Sequence, residues 1–241
     1  MYKRQGYSGN TISGTYAIAE GYYTKANGDK SHTEGDSTTA SGEAAHAEGI
    51  GTVASGSSSH SEGLTTKANG DRSHAEGAFS IASGNQSHAE GSGTTAYGTN
   101  SHAEGEGTRA DATSAHAEGN GTLASGVYSH SEGSSTQATS YCAHAEGSGC
   151  TANGAYSHAE GNNTQALNPS EHACGKYNKS TTGASTGATL FSVGFGTPPS
   201  ESSRKNAIEI TQTGVLKANQ AWQTGSDLSL IHISEPTRLG M

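Results

Sequence analysis

The chain has 241 residues, of which 30% are hydrophobic, 6% aromatic and 35 glycine, a composition that excludes an ordinary core of large apolar side chains. A formal net charge of -9 leaves no basic stripe to displace phosphate counterions, which excludes nucleic acid as a partner. No apolar run approaches the roughly 20 residues of a membrane-spanning helix.

In chain order, the opening MYKRQ looks like a translated sequencing adapter, and residues 1–5 are set aside from the fold. An array follows. His32, His46, His60, His74, His88, His102, His116, His130, His144, His158 and His172 stand 14 residues apart, each followed two positions later by Glu, from Glu34 to Glu160, and then by Gly. At the last copy Cys174 takes the Glu slot. An earlier copy reads AIAEG at residues 17–21, and ISG at residues 12–14 is the remnant of another. One unit is SHAEG, two variable residues, Thr, one variable residue, Ala, Ser, Gly and two variable residues. A disordered tract has no reason to hold that phase; a stacked repeat must.

Fourteen residues per copy are too few for a helical hairpin, and two glycines per copy would each cost about 1 kcal/mol inside a helix. The unit suits one coil of an all-β fold, a parallel β-roll or solenoid spanning residues 6–175, with short strands around SHAEG and TxAS and turns at the variable pairs. Strand alternation puts Ser, Ala and Gly of SHAEG on one face and His and Glu on the other. Thr and Ala of the second strand face the small set, so the interior is a methyl or hydroxyl deep. At about 25 cal/mol per Å² such contacts do not offset roughly 1–2 kcal/mol per residue of backbone entropy. The His and Glu face therefore needs a cover, most simply further copies of the chain in a closed symmetric oligomer.

After the array, residues 176–187 read as a polar linker and residues 188–227 as a small β-region. There ATLFSVGFGT, residues 188–197, predicts a strand stopped by Pro198 and Pro199. RKNAIEITQTGVLKAN, residues 204–219, predicts a hairpin turning near Thr213 and Gly214. Leu190, Phe191, Val193, Phe195, Ile208, Ile210, Val215, Leu216 and Trp222 form the densest set of large apolar residues. Residues 228–241, with LSLIHISEPTR at 228–238, again look like adapter, so residues 6–227 are expected to be an internal, metagenomic fragment of a longer protein. Cys142, Cys150 and Cys174 form no CxxC, and Cys150 and Cys174 read as packing substitutions in the Thr and Glu slots.

SHAEG followed by TxASG resembles the 14-residue head repeats of trimeric autotransporter adhesins, whose motif is SVAIG, with AIAEG standing between the two. The resemblance implies a left-handed β-roll in a homotrimer that binds through its outer surface. SHAEG repeats followed by HACGKYN at residues 172–178, FSVGFGT and RKNAIEITQTGVL are also similar to phage tail-fibre and neck-appendage proteins. Those often continue into a self-cleaving chaperone domain that this chain does not contain.

Enzyme chemistry is not expected. A zinc deaminase pairs HxE with a later PCxxC, a zinc protease needs HExxH, and a glycosidase needs a non-repeated pair of carboxylates in a cleft; the chain carries none of these, and no cofactor is expected. The ladder of His46, Glu48, His60, Glu62, His74, Glu76, His88, Glu90, His102, Glu104, His116, Glu118, His130, Glu132, His144, Glu146, His158 and Glu160 reads first as an assembly face, imidazole bonded to carboxylate across a subunit contact. The subordinate reading is a metal held at a trimer axis by His74, His88 or His102. Glu beside His is expected to raise the imidazole pKa, giving a stability maximum in mildly acidic to neutral solution. The expected function is a structural, receptor-binding fibre segment of a phage tail or appendage, located in the virion. It would display variable pairs such as Ala78 with Phe79 and Val127 with Tyr128 to a bacterial receptor, a glycan or surface protein. The alternative is the head of a trimeric adhesin on a bacterial outer surface.

Overall fold

The computed structural model describes residues 4–5, 9–182, 187–197 and 201–218. The expectations for Pro198, Pro199, Trp222, residues 1–3 and residues 228–241 lie outside the described residues.

From His32 to Ala166 each period folds into a five-residue strand that begins at His, such as His74–Ala78, and a two-residue strand, such as Ile81–Ala82, and His172–Lys176 adds a last five-residue strand. Copies pair in parallel with like on like: His74 on His88, Ala75 on Ala89, Glu76 on Glu90 and Gly77 on Gly91. The ladder runs through both strands of the coil, as in the bonds from His74 N to Ser87 O and from Ile81 N to Thr94 O, each 2.9 Å. The short strands form a 12-stranded sheet and the long strands a second sheet, so the array is an all-β parallel solenoid with one short strand per coil.

The interior is as thin as the sequence implies. Ala75, Ala82, Ala89, Ala96, Ala103 and Ala110 are fully buried in one continuous stack. Buried hydroxyls are costly unless bonded. Thr66 Oγ1 donates to the Glu62 carbonyl at 3.0 Å and lies 2.8 Å from Ser61 Oγ, while Ser73 Oγ donates to the Gly70 carbonyl at 2.7 Å. One detail of the alternation argument is overturned. Ser73 and Ala75 point inward, but Gly77 is exposed, because its φ of +91° breaks the regular alternation of faces within the strand.

Carboxamides stand at both ends of the short-strand sheet: Asn10 braces the turn of the next coil, and Asn178 imitates a missing coil against the last short strand. Asn10 and Asn178 both occupy the slot that holds Thr in the repeats. Asn10 Oδ1 accepts from Thr24 N at 3.0 Å and its Nδ2 donates to Gly21 O at 3.0 Å. Asn178 Oδ1 accepts from Gln165 N at 2.7 Å, and its Nδ2 donates to Gln165 O and Ser192 Oγ, both at 2.9 Å. A carboxamide carries the same donor and acceptor as a peptide, so it ends the ladder without orphaned groups. Replacing Asn178 by Ala leaves the buried backbone of Gln165 unpaired and is expected to cost about 2 kcal/mol. Chemical denaturation would measure it, and an unchanged midpoint would contradict the capping role.

Beyond the last coil, Thr189–Phe195 lies parallel to His172–Lys176, with Phe191 on His172. Asn206–Thr211 then pairs antiparallel with Thr189–Phe195, and Leu216–Ala218 pairs antiparallel with Asn206–Thr211. The expected hairpin turn falls at Gln212 to Gly214, where Thr211 N bonds Val215 O at 3.0 Å. At the other end Arg4–Gln5 pairs with Ile18–Ala19, and the long-strand sheet totals 16 strands.

Candidate functional site

In-register stacking converts one His per period into a column. The imidazole rings from His32 to His172 lie nearly parallel, at angles of 3–12°, with centroids 4.6–4.9 Å apart. The Glu side chains form a second column beside it, and every residue of the predicted ladder from His46 to Glu160 is half-buried on this one face. The structure therefore brings the whole predicted set together.

The chemistry within that face differs from expectation. Imidazole Nε2 atoms lie 3.4–3.9 Å from Glu oxygens, both within a coil, as in His102 with Glu104 at 3.6 Å, and across coils, as in His172 with Glu160 at 3.4 Å. Those separations exceed a hydrogen bond to a carboxylate. The Nε2 atoms from His46 to His172 are buried and have no hydrogen-bond partner.

The expected rise in imidazole pKa is also overturned. Burial first, and then the imidazole above or below, hold His46, His74, His102, His130, His144 and His158 below the usual histidine value. Neighbouring Glu residues pull the other way and are outweighed, since burial and the imidazole one coil away act together. The carboxylates resolve their own crowding by sharing protons. Hydrogen bonds to the flanking Glu residues push Glu48 and Glu76 up to about 7, and burial with the same bonds does so for Glu146. Bonds to those neighbours hold Glu34, Glu62 and Glu160 below the usual carboxylate value. Over the coils from Glu34 to Glu76, raised and lowered carboxyls alternate as proton donor and proton acceptor.

The coil edges carry the variable pairs. Phe79 is 57% exposed, Tyr128 55% and Val127 38%. Sequence reasoning singled out these residues but missed their continuity. Ile50 pairs with Leu64 in register, and Phe79 N bonds Leu64 O, which gathers an exposed aliphatic and aromatic strip on one edge. On the opposite edge Tyr128, Tyr141 and Tyr156 pack edge to face with centroids 5.7 and 5.4 Å apart. Reading the same slot down successive periods would have shown both. All three cysteines are free; Cys150 fills the buried Thr slot and donates to Gly161 O at 3.2 Å.

Two stretches, residues 34–59 and 75–101, match the sequence profile of the YadA head domain repeat. The array is an adhesin-head-like β-solenoid. That repeat belongs to a structural family. No curated protein matches the chain. No helix among the described residues of this head-like array is long and apolar enough to cross a membrane.

Proposed function

We propose that this chain is the receptor-binding rod of a homotrimeric fibre, a segment of a phage tail fibre or appendage carried on the virion. Residues 6–175 form the display rod, and residues 188–227 follow it as a small β-region. The observation that carries the reading is the pair of exposed apolar and aromatic strips held at fixed height on a rigid stack, which is how a fibre presents recognition groups. The trimer is supported by the His and Glu face as a whole, a continuous half-exposed polar surface on which the same side chains recur coil after coil and which a second copy can cover. A partner of glycan type suits Tyr128, Tyr141 and Tyr156, which offer flat rings with hydroxyl rims. The match to the YadA head repeat favours a second reading, the head of an adhesin on a bacterial outer surface.

Light scattering of the purified chain is expected to give three times the monomer mass; a stable monomer would contradict the fibre. Labelled trimer is expected to coat susceptible bacteria and to block phage adsorption, whereas an adhesin head would leave adsorption unchanged and attach to a non-bacterial surface. Replacing Tyr128, Tyr141 and Tyr156 together by Ser should weaken cell binding at least about tenfold, given hot-spot losses of about 2 kcal/mol for an aromatic, without changing the melting temperature. Unchanged binding would remove the tyrosine edge from the receptor site.

A further inference from the structure

We propose that the His and Glu columns bind first-row divalent transition-metal ions, of the zinc class, within a single chain, and that His88 with Glu76 and Glu90 is the best-formed site. The inference stands apart from the fibre reading, because all three ligands come from one chain.

His88 Nε2 lies 3.5 Å from Glu76 Oε1 and 3.6 Å from Glu90 Oε2. The two carboxyls are themselves within hydrogen-bond reach of each other. Ligand atoms sharing a tetrahedral zinc at about 2.0–2.1 Å stand roughly 3.4 Å apart, so His88 Nε2 stands close to that separation from an oxygen of each carboxyl. The distances are too long for hydrogen bonds and right for a shared ion. His88 Nε2 is buried and has no hydrogen-bond partner, which leaves its lone pair free when the proton sits on Nδ1. The fourth corner opens to solvent through the two half-exposed carboxyls.

Two successive histidines fit one ion within a chain less well. Groups such as His88, Glu90 and His102 have ligand atoms spread over as much as 4.8 Å, wider than the roughly 3.4 Å between ligands of a tetrahedral zinc. Each ion therefore takes one imidazole and the carboxyls above and beside it. Since Glu90 also serves the neighbouring coil, ions in adjacent coils would share ligands and repel, so filling is limited to about every second coil. The imidazole makes the set one that zinc or cobalt accepts and calcium or magnesium does not.

The test uses the whole chain without an affinity tag. Zn2+ titrated calorimetrically is expected to bind at a stoichiometry on the order of five per chain and to raise the melting temperature, while Ca2+ at the same concentration does neither. Co2+ is expected to give visible d–d bands of nitrogen and oxygen ligation. A thiolate charge-transfer band would instead assign the metal to the cysteines and overturn the proposal. The triple variant His88→Gln, Glu76→Gln, Glu90→Gln should bind about one ion fewer. An unchanged stoichiometry, no Co2+ bands, or equal effects of Ca2+ and Zn2+ would each defeat the assignment, and the wild-type spectra decide the matter even if the variant does not fold.

Discussion

Replacing Gly91 by Ala should cost about 3–5 kcal/mol, while the same change two residues on, at Gly93, should cost about 1 kcal/mol or less. Gly91 has φ at +112°, and a Cβ there would lie 2.1 Å from the Gly105 carbonyl oxygen in the next coil. The backbone strain is worth about 1–3 kcal/mol and forcing the coils apart about as much again. Neither coil can yield, since each is fixed by the ladder to the one beyond it. Gly93 has φ at +66° and nothing within 4 Å of the added carbon. Its slot holds Thr65, Phe79 and Ser135 in other coils, all at similar positive φ. Because a solenoid is held by nearest-neighbour contacts, the damage at Gly91 should also split thermal unfolding into two transitions, one for each side of the break. A single transition within 1 kcal/mol of wild type would show that the Gly column is not the constraint.

Acidification and alkalinisation should both destabilise the array in the absence of metal, with the maximum at about pH 6–7. The six histidines held below their ordinary value are neutral in the fold. Their contribution is present above the unfolded pKa of about 6.5 and is lost as pH falls through the lower folded values. Glu48, Glu76 and Glu146, pushed up to about 7, behave oppositely: their contribution is full below about 4.5 and is lost as pH rises through about 7. Between those limits the two trends offset. Glu76→Gln imitates the protonated carboxyl and should raise the melting temperature above pH 7 while leaving the acid limb in place. A melting temperature flat from pH 5 to 9, or a maximum above pH 8, would contradict this account.

The architecture was legible in the sequence because an unbroken period with one small residue at each interior slot admits few folds. Ala75, Ala82 and Ser73 fall where alternation put them. Gly77 does not, because period-two reasoning assumes regular extended dihedrals along the strand, and Gly77 has a positive φ. The sign of the histidine shifts was not legible for a related reason. Sequence reasoning paired His74 with Glu76, two positions along, but in a parallel in-register stack His74 is buried and lies between the imidazoles of His60 and His88, and both effects act in the same direction. The tyrosine edge was hidden because Tyr128 and Tyr141 occupy different slots of their units and meet only after folding.

The carboxamide cap at Asn178 makes length a heritable variable of this molecule. With the backbone ladder alike from coil to coil and the last short strand capped by a side chain, gaining or losing a whole period of coding sequence leaves the ladder continuous and that cap in place. Each such event would move whatever is attached to the tip by one step of about 4.8 Å, so reach can be tuned by recombination between copies while the recognition strips are shuffled at the same time.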